Sequence, residues 1–382
     1  MMRERKLLFT PGPLTTSDSV KQAMMRDLGS RDIEFLDLVR QIRRRLLELG
    51  NVADAGYEAV LMQGCGTFAL ESVICSILPP DSKLLVLANG AYGQRMAQIA
   101  RAVGVSVETC TFPEACAVDP AQARQVILRD PTITHVGAVH CETSTGMMNA
   151  VQEIGRVVRG LGRVFILDAM SSFGGIPIDL GASNIHFLVS SANKCIQGVP
   201  GFGFVLARRD LLLAAEGRAR SLSLDLVAQL KGFDRDGQFR FTPPTHALLA
   251  FWQALLDLGE EGGVTGRAAR YVANQKVLAD GMNALGFDAY LAPKDQSPII
   301  TCFRFPAHPN FHFQDFYRRL SEQGFVIYPG KVSDADCFRI GTIGHLFSDD
   351  IRSLLEAIRR TLRAMQIDLP PGAGAAIGSC SP

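Results

Sequence analysis

The sequence predicts an α/β protein, with a large domain built on a mainly parallel seven-stranded sheet covered by helices and a smaller C-terminal α+β domain. Between about Tyr57 and Leu206, short apolar runs alternate with stretches of helical periodicity. Several of these runs are apolar throughout, which indicates strands that are buried on both faces, as in a parallel sheet. From about Gly262 onward, helices and strands follow in a mixed order that is typical of a small α+β domain.

Seven apolar runs are predicted to form the large sheet. In chain order they are EAVLM, KLLVLAN, VSVETCTF, HVGAVHCE, RVFILDA, HFLVSS and GFGFVLARR, of which the last could run antiparallel. The helices predicted between them are FALESVICSIL, QRMAQIARAVG, DPAQARQVILRD and AVQEIGRVVRGLG. In the second unit, PIITCFRF and FRIGTIG are predicted to be strands, and FQDFYRRLSEQG and DDIRSLLEAIRRTLRAM helices.

We expect four segments along the chain. Residues 1–20 form an N-terminal arm, residues 21–261 a large domain, and residues 262–368 a small domain. Residues 369–382 contain the low-complexity stretch PPGAGAAIGSCSP and are predicted to be disordered.

The composition favours a large core and argues against several classes of partner. Of the 382 residues, 47% are hydrophobic, which suits a chain of about two domains. Lys and Arg number 39 and Asp and Glu 38, so the net charge of +1 does not suggest binding to nucleic acid or an anionic membrane. Nine cysteines occur singly without a C-x-x-C pair, which favours reduced thiols in a cytosol over a disulfide framework.

Sorting signals and metal sites are not predicted. The start, MMRERKLLFTPGP, has an apolar run of only three residues, which is too short for a secretory signal. Polar and glycine residues interrupt the longest apolar stretch, residues 59–78, which therefore does not resemble a membrane span. We expect a cytoplasmic protein. His308 and His312 flank Pro309 and have no acidic residue shortly before them, so a surface loop is favoured over a metal site.

The first candidate for chemistry is the turn Gly64-Cys65-Gly66-Thr67, between the strand EAVLM and the helix FALESVICSIL. In open α/β sheets, ligands bind beyond the carboxyl ends of the strands. Glycines allow close backbone approach, and a helix N-terminus offers free N–H groups and partial positive charge to a phosphate. The Thr67 hydroxyl could cap the helix. The alternative is an ordinary glycine-rich turn with a threonine cap; a P-loop is not supported, because the Walker lysine is missing.

Two further candidates lie at the ends of later strands. Asp168 ends VFILDA, where a buried carboxylate would be paired opposite a pyridinium nitrogen and would keep that nitrogen protonated. The alternative is that Asp168 caps the following turn. Lys194 follows HFLVSS and is the only lysine between Lys83 and Lys231. In a desolvated site its amine would lose proton affinity and could form a Schiff base, whereas the alternative is a lysine that extends to solvent.

The fourth candidate is Arg339, which alternates with Phe338 and Ile340 on the strand FRIGTIG. Facing a cleft between domains, its guanidinium could bind a carboxylate with two parallel hydrogen bonds. On its own, the pattern favours the alternative of a strand arginine that faces solvent. The order of the four features is more informative than any one of them, since Lys194 follows Asp168 by 26 residues and Arg339 comes late, in the small domain.

That order, with the local sequence, resembles the class V aminotransferases of the pyridoxal-phosphate-dependent fold type I. The resemblance extends from LLFTPGP to LRAM and is carried by FTPGPLTTS, MQGCGTFALES, NGAYGQRM, HCETSTGM, DAMSSFGGIPID and SSANKCIQGVPGFGF. It is strongest with the branch of the family that uses 2-aminoethylphosphonate and pyruvate. The resemblance implies pyridoxal 5′-phosphate as the cofactor, a homodimer, and transfer of the amino group between these two substrates in phosphonate degradation.

The resemblance also assigns roles to individual residues. Lys194 resembles the Schiff-base lysine and Asp168 the partner of the pyridinium. Tyr92 resembles the aromatic ring that stacks on the cofactor, and Thr143 the hydroxyl that contacts the cofactor's ring oxygen.

The phosphate and the substrate have expected partners as well. Gly66 and Thr67 resemble the phosphate cradle, and Asn193 resembles a polar contact beside the lysine. Thr242 of FRFTPPTH resembles a residue that reaches the phosphate of the neighbouring subunit. Arg339 resembles the clamp for the substrate anion, with Gly12 as a further substrate contact.

Two positions depart from the broader family. Cys65 stands where relatives often have serine, so we expect only its backbone to contact phosphate. Asn193 precedes the lysine where the broad class has His, Gln or Arg, and this fits the phosphonate branch. An alanine– or serine–glyoxylate or –pyruvate aminotransferase is the alternative activity. A pyridoxal-phosphate-binding regulatory domain is disfavoured by the intact Lys194 and Asp168, and a nicotinamide dehydrogenase because GFGF does not match G-x-G-x-x-G.

Overall fold

The computed structural model of the protein describes residues 6–370, so that most of the predicted tail, from residue 371, lies outside the described residues. Its strands are β1 Leu7–Leu8, β2 Tyr57–Gly64, β3 Lys83–Ala88, β4 Ser106–Thr111, β5 Ile133–Val139, β6 Cys141–Glu142, β7 Met147–Met148, β8 Val164–Asp168, β9 Phe187–Ser191, β10 Gly201–Arg208, β11 Ile300–Arg304, β12 Phe325–Val326, β13 Tyr328–Pro329 and β14 Cys337–Gly341.

The helices fill the intervals between the strands. They are α1 Asp18–Gln22, α2 Ile33–Leu49, α3 Gly66–Ile77, α4 Ala91–Ala102, α5 Pro120–Arg129, α6 Val151–Gly160, α7 Arg209–Leu213, α8 Leu226–Asp236, α9 Thr245–Glu260, α10 Gly263–Ala284, α11 Phe313–Glu322 and α12 Ser348–Ala364.

The large sheet has seven strands in the order β2-β10-β9-β8-β5-β3-β4. Strand β10 pairs antiparallel with β2 and β9, and the remaining pairs are parallel. The predicted mainly parallel sheet and the antiparallel direction of GFGFVLARR are both confirmed. The physical basis is burial on both faces, since residues 84–88 of β3 are all fully buried.

The C-terminal unit has its own sheet and its own core. Its three strands are ordered β11-β14-β13 and are all antiparallel, and its buried apolar side chains come largely from α10, α11, α12 and these strands. This is the smaller α+β unit that the mixed order of elements predicted. The boundaries at residues 20, 261 and 368 stay predictions.

The N-terminal arm is attached to the C-terminal unit. Strand β1 pairs in parallel with β12, and the following residue, Phe9, is buried in the same apolar cluster as α12. The Phe9 carbonyl accepts a hydrogen bond of 2.9 Å from the Gly341 amide at the end of β14. The start of the arm is therefore fixed to the small sheet and its core.

Among residues 6–370, no helix is both long and apolar enough to span a bilayer.

Candidate active site

One cavity of about 180 Å³ lies where several strands of the large sheet end. Strands β2, β8 and β9 run in the same direction, so their carboxyl ends meet at one edge. The side chains and backbone that line the cavity are those of Cys65, Gly66, Thr67, Leu70, Tyr92, Arg95, Asp168, Met170, Ser191, Asn193 and Lys194. Seven of the residues predicted from the sequence are therefore brought together.

The N-terminus of α3 forms one wall of the cavity. The helix begins at Gly66, Cys65 is its N-cap residue, and no side chain caps it. The predicted threonine cap is thus wrong, because Thr67 already lies within the first turn and its hydroxyl cannot take the cap position. The uncapped N–H groups and the partial positive charge of this helix end can receive an anion.

Gly66 is needed for close packing at this helix end. A Cβ atom built on Gly66 would lie 1.9 Å from Sδ of Met170, which also lines the cavity. The glycine therefore lets the helix N-terminus approach the loop after β8, and its predicted contact with a phosphate stays a prediction.

Asp168 ends β8 with its side chain almost fully buried, at 4% exposure. Its Oδ1 accepts a hydrogen bond of 2.9 Å from the Met170 amide, so the residue does cap the following turn. Within residues 6–370, Oδ2 makes no hydrogen bond and can accept one from a ligand in the cavity. Burial raises the pKa of Asp168 to about 6, and a positive ring nitrogen would compensate this cost.

Lys194 follows β9 and does not extend to solvent. Its Nζ donates hydrogen bonds to the backbone carbonyls of Pro11 (3.1 Å) and Gly12 (3.2 Å) in the N-terminal arm. Burial lowers the pKa of Lys194. A neutral amine is the nucleophilic form, so this environment favours reaction with an aldehyde.

Gly12 contacts Lys194 directly. A Cβ atom on Gly12 would lie 2.7 Å from both Cδ and Nζ of Lys194, and φ of Gly12 is +116°, which side-chain-bearing residues rarely adopt. The structure therefore places Gly12 against the reacting amine. Its predicted contact with substrate stays a prediction.

Tyr92, on α4, and the adjacent Thr143 lie beside the cavity. The buried carboxylate of Glu142 accepts hydrogen bonds from the backbone amides of Tyr92 (3.2 Å) and Gly93 (3.2 Å) and from the Ser144 hydroxyl (2.6 Å). Glu142 therefore fixes the helix end that carries Tyr92. Although burial raises the pKa of Tyr92, the Thr143 side chain and the nearby cations Lys331, Arg339 and Lys194 together lower it.

Arg339 lies on β14 and is only 5% exposed, so the solvent-facing alternative is wrong. Its Nε donates to the carbonyl of Pro329 (3.0 Å) and its Nη1 to the carbonyl of Thr143 (2.8 Å). The second bond joins the small sheet to the large-domain segment next to Tyr92.

Of the two remaining predicted cofactor contacts, Asn193 lies in the cavity and Thr242 lies outside it. Asn193 lines the cavity, and its Oδ1 accepts a hydrogen bond of 3.0 Å from Ser191. Thr242 is exposed and lines a separate depression with Arg31 and Arg240. The structure does not bring Thr242 to the cavity of its own subunit.

Several residues of the site were not predicted. Arg95 comes one helical turn after Tyr92, so helical periodicity could have placed it on the same face. The spacing of residues in the sequence could not have identified the others, because their positions depend on contacts between distant segments. They are Ser191, Met170, Glu142 and Lys331.

The sequence belongs to the class-V aminotransferase family, whose model matches residues 16–338. The match ends one residue before Arg339. It spans the cavity, the loop that carries Lys331 and most of both sheets.

Curated relatives cover nearly the whole chain. The chain is 55% identical over 354 residues to a 2-aminoethylphosphonate–pyruvate transaminase of Syntrophobacter fumaroxidans, a match that covers 92% of this chain and 95% of that protein. It is 50% identical over 363 residues to a protein of the same name from Vibrio cholerae, covering 94% and 99% of the two chains.

Solved structures share the fold. Ureidoglycine–glyoxylate aminotransferase of Bacillus subtilis superposes with a TM-score of 0.88 at 22% identity, over 98% of this chain and 97% of that one. Pyridoxamine–pyruvate aminotransferase of Mesorhizobium loti gives a TM-score of 0.87 at 24% identity, over 97% and 95%. The chain therefore has the fold of these aminotransferases.

Proposed function

We propose that this protein is a pyridoxal-phosphate-dependent enzyme that transfers the amino group of 2-aminoethylphosphonate to pyruvate, giving phosphonoacetaldehyde and L-alanine. The observation that carries the proposal is the single cavity that contains a desolvated lysine, a buried carboxylate and an uncapped helix N-terminus. The 55% and 50% identical relatives that bear this name support the choice of substrates.

The residues of the cavity fit the cofactor. We assign its phosphate to the N-terminus of α3, at Gly66 and Thr67, and its ring nitrogen to Oδ2 of Asp168. Tyr92 would contact the ring, Thr143 its ring oxygen and Lys194 its aldehyde carbon. When bound, pyridoxal 5′-phosphate supplies an electron sink for the substrate carbon that loses a proton.

Lys194 is proposed to move the proton. The lowered pKa of its amine lets it take a proton from the carbon that bears the substrate nitrogen, as a general base, and return it as a general acid. The two substrates occupy the same site in turn, so that release of phosphonoacetaldehyde precedes binding of pyruvate.

The substrate anion is assigned to Arg339. In the described part of the chain, this buried guanidinium contacts carbonyl oxygens but no carboxylate, so its positive charge is uncompensated. A buried cation without a partner is costly, and a substrate anion would remove that cost.

The proposed reaction is tested with one substrate at a time. Adding 2-aminoethylphosphonate alone to the yellow enzyme should convert the bound cofactor to its amino form and release one equivalent of phosphonoacetaldehyde per site. The measurement is a visible spectrum together with an aldehyde assay. If alanine or serine converts the cofactor and 2-aminoethylphosphonate does not, the alternative alanine– or serine–glyoxylate or –pyruvate activity replaces this proposal.

Arg339→Lys should impair both half-reactions. Lysine keeps the charge but loses the planar pair of N–H donors, and each half-reaction should lose about 1.5–3 kcal/mol of transition-state stabilisation. Single-turnover kinetics of each half-reaction provide the measurement. A loss confined to pyruvate would show that other groups hold the phosphonate, and unchanged rates in both would exclude Arg339 from the site.

We also propose a homodimer in which Thr242 completes the partner's phosphate site. The support is an exposed apolar surface formed by Phe68 (51% exposed), Leu222 (79%) and Phe241 (46%). Leu222 lies near Phe241, since Arg240 donates a hydrogen bond to the Leu222 carbonyl. Phe68 packs against Gly64, and the neighbouring Gln63 donates a hydrogen bond to the Phe241 carbonyl. Apolar surface of this kind is usually covered in an assembly.

The homodimer predicts complementation between two inactive variants. Lys194→Ala and Thr242→Glu should each be inactive alone, because they remove the amine and place a negative charge near the phosphate. In a mixed dimer, one site has both native residues, so mixing equal amounts after dissociation should restore about a quarter of wild-type activity. Light scattering gives the oligomeric state. A fully active monomer, or a mixture that stays inactive although mixed dimers form, would contradict the proposal.

For the compartment, we propose the cytoplasm. The support is the sequence, in which the nine cysteines occur singly and form no C-x-x-C pair.

A further inference from the structure

A second cation approaches the site from the same hairpin as Arg339. Strand β13 leads through Gly330 to Lys331, and β14 returns with Arg339. The Nζ atom of Lys331 lies 4.3 Å from the centroid of the Tyr92 ring, which lines the cavity beside Lys194. Lys331 therefore lies against a side chain of the cavity, and Arg339 from the same hairpin is bonded to the carbonyl of Thr143, whose side chain contacts Tyr92.

The local structure holds Lys331 in place. The Gly330 amide donates to the carbonyl of Cys337 at 2.9 Å, and Nε of Arg339 donates to the carbonyl of Pro329. Two residues beyond Lys331, the Ser333 amide and hydroxyl donate to Oε2 of Glu114 in the large domain, at 2.8 and 3.1 Å. The loop backbone is thus anchored on both sides of the lysine, which positions the Cα atom from which its side chain reaches Tyr92.

Neither cation of the hairpin is neutralised by the protein. Among residues 6–370, no carboxylate oxygen lies within 4.0 Å of Nζ of Lys331 or of the Arg339 guanidinium. Lys331 is half-buried and Arg339 is buried. Two uncompensated charges next to Tyr92 and Thr143, of which Tyr92 lines the same cavity as Lys194, indicate an anion that arrives with the substrate and carries up to two negative charges.

We propose that Lys331 determines the choice of amino donor by supplying the second positive charge for a phosphonate dianion. This inference rests on the proposed function. Arg339 alone matches a carboxylate, which has one negative charge and two coplanar oxygens. A phosphonate has a third oxygen and up to one more charge, and Lys331 neutralises that additional charge. Binding of pyruvate and alanine depends on Arg339 and changes little when Lys331 is replaced.

The test uses the cofactor-loaded enzyme and two anions that cannot react, ethylphosphonate and propionate. Their dissociation constants are measured by calorimetry at a pH where ethylphosphonate is a dianion. Lys331→Met, which keeps the aliphatic stem, should weaken ethylphosphonate about tenfold to a hundredfold, the range for a lost charge-assisted hydrogen bond. The affinity for propionate should fall less than about threefold, because propionate does not contact the charge that is removed. Lys276→Met, at a lysine side chain that is 75% exposed, is the matched control and should change neither constant.

Two outcomes for Lys331→Met would overturn the inference. One is an equal loss of affinity for both anions, and the other is an unchanged affinity for ethylphosphonate. The propionate constant and the cofactor spectrum report on folding, and Lys331→Gln serves in the same assay if Lys331→Met does not fold. Failure of the proposed function is distinguishable. Lys331-dependent binding of ethylphosphonate without turnover of 2-aminoethylphosphonate would refute the reaction and leave the dianion site standing.

Discussion

Lys194→Ala should retain the cofactor only noncovalently and should lose turnover by at least about a thousandfold. General acid–base catalysis alone contributes roughly 10²–10⁴-fold, and the amine also makes the covalent attachment. The structure supports this expectation because the partly buried amine faces the cavity and its only hydrogen bonds in residues 6–370 are to the Pro11 and Gly12 carbonyls.

Borohydride reduction followed by peptide mapping gives the direct measurement. The wild-type protein should carry the reduced label on Lys194, and Lys194→Ala should carry none. Lys231→Ala is a suitable control, because that lysine is exposed and pairs with Glu216 away from the cavity. Label on any other lysine of the wild-type protein would overturn the assignment.

Asp168→Asn should preserve the fold and reduce turnover by about 10²–10³-fold. This is the range for the loss of one preorganised electrostatic group. Asparagine can still accept the Met170 amide hydrogen bond that caps the turn, so the backbone should not change. It cannot keep the ring nitrogen protonated, because the negative charge is lost. Asp179→Asn, at another turn-capping aspartate, is the control and should be nearly fully active. Near-normal turnover of Asp168→Asn would show that Asp168 has only the capping role.

The same carboxylate predicts a pH dependence of cofactor binding. The pKa of Asp168 is about 6 in the cofactor-free protein, and pairing with a positive ring nitrogen lowers it. The affinity for the cofactor should therefore be highest above pH 6 and should fall as the pH drops through that value. Below it, Asp168 is protonated in the cofactor-free protein and must lose that proton before it can pair with the ring nitrogen. Fluorescence titration of the cofactor-free protein measures this. The phosphate also titrates near pH 6, so the part of the dependence that persists in Asp168→Asn belongs to the phosphate.

Much of the fold could be predicted from the sequence, because runs such as KLLVLAN have only one stable environment, the middle of a sheet covered on both faces. Asp168 and Lys194 could be found for a related reason. A charged residue at the end of an apolar strand must either reach solvent or meet a partner, and both residues lie in the cavity.

Other features depend on contacts that no local pattern encodes. The apolar periodicity of α3 begins at Phe68, but the helix itself begins at Gly66. A glycine has no side chain that could extend the periodic pattern, so the pattern does not mark this helix start. Glu142 caps the start of α4 from about fifty residues away, and Arg339 is buried only because the Thr143 and Pro329 carbonyls receive its N–H groups. The positions of these charges follow from topology rather than from spacing.

The N-terminal arm has a consequence for the order in which the enzyme is made. The carbonyls beside Lys194 belong to residues 11 and 12, and the arm that presents them is held by β12, by the Gly341 amide and by the bond from the His345 amide to the Thr15 carbonyl. These contacts span more than 300 positions of the chain. During synthesis, strands β2 to β10 can assemble as soon as they leave the ribosome, but the surroundings of Lys194 remain incomplete until residues 325–345 have emerged. The nascent chain should therefore acquire its sheet well before it can hold its cofactor in the native geometry.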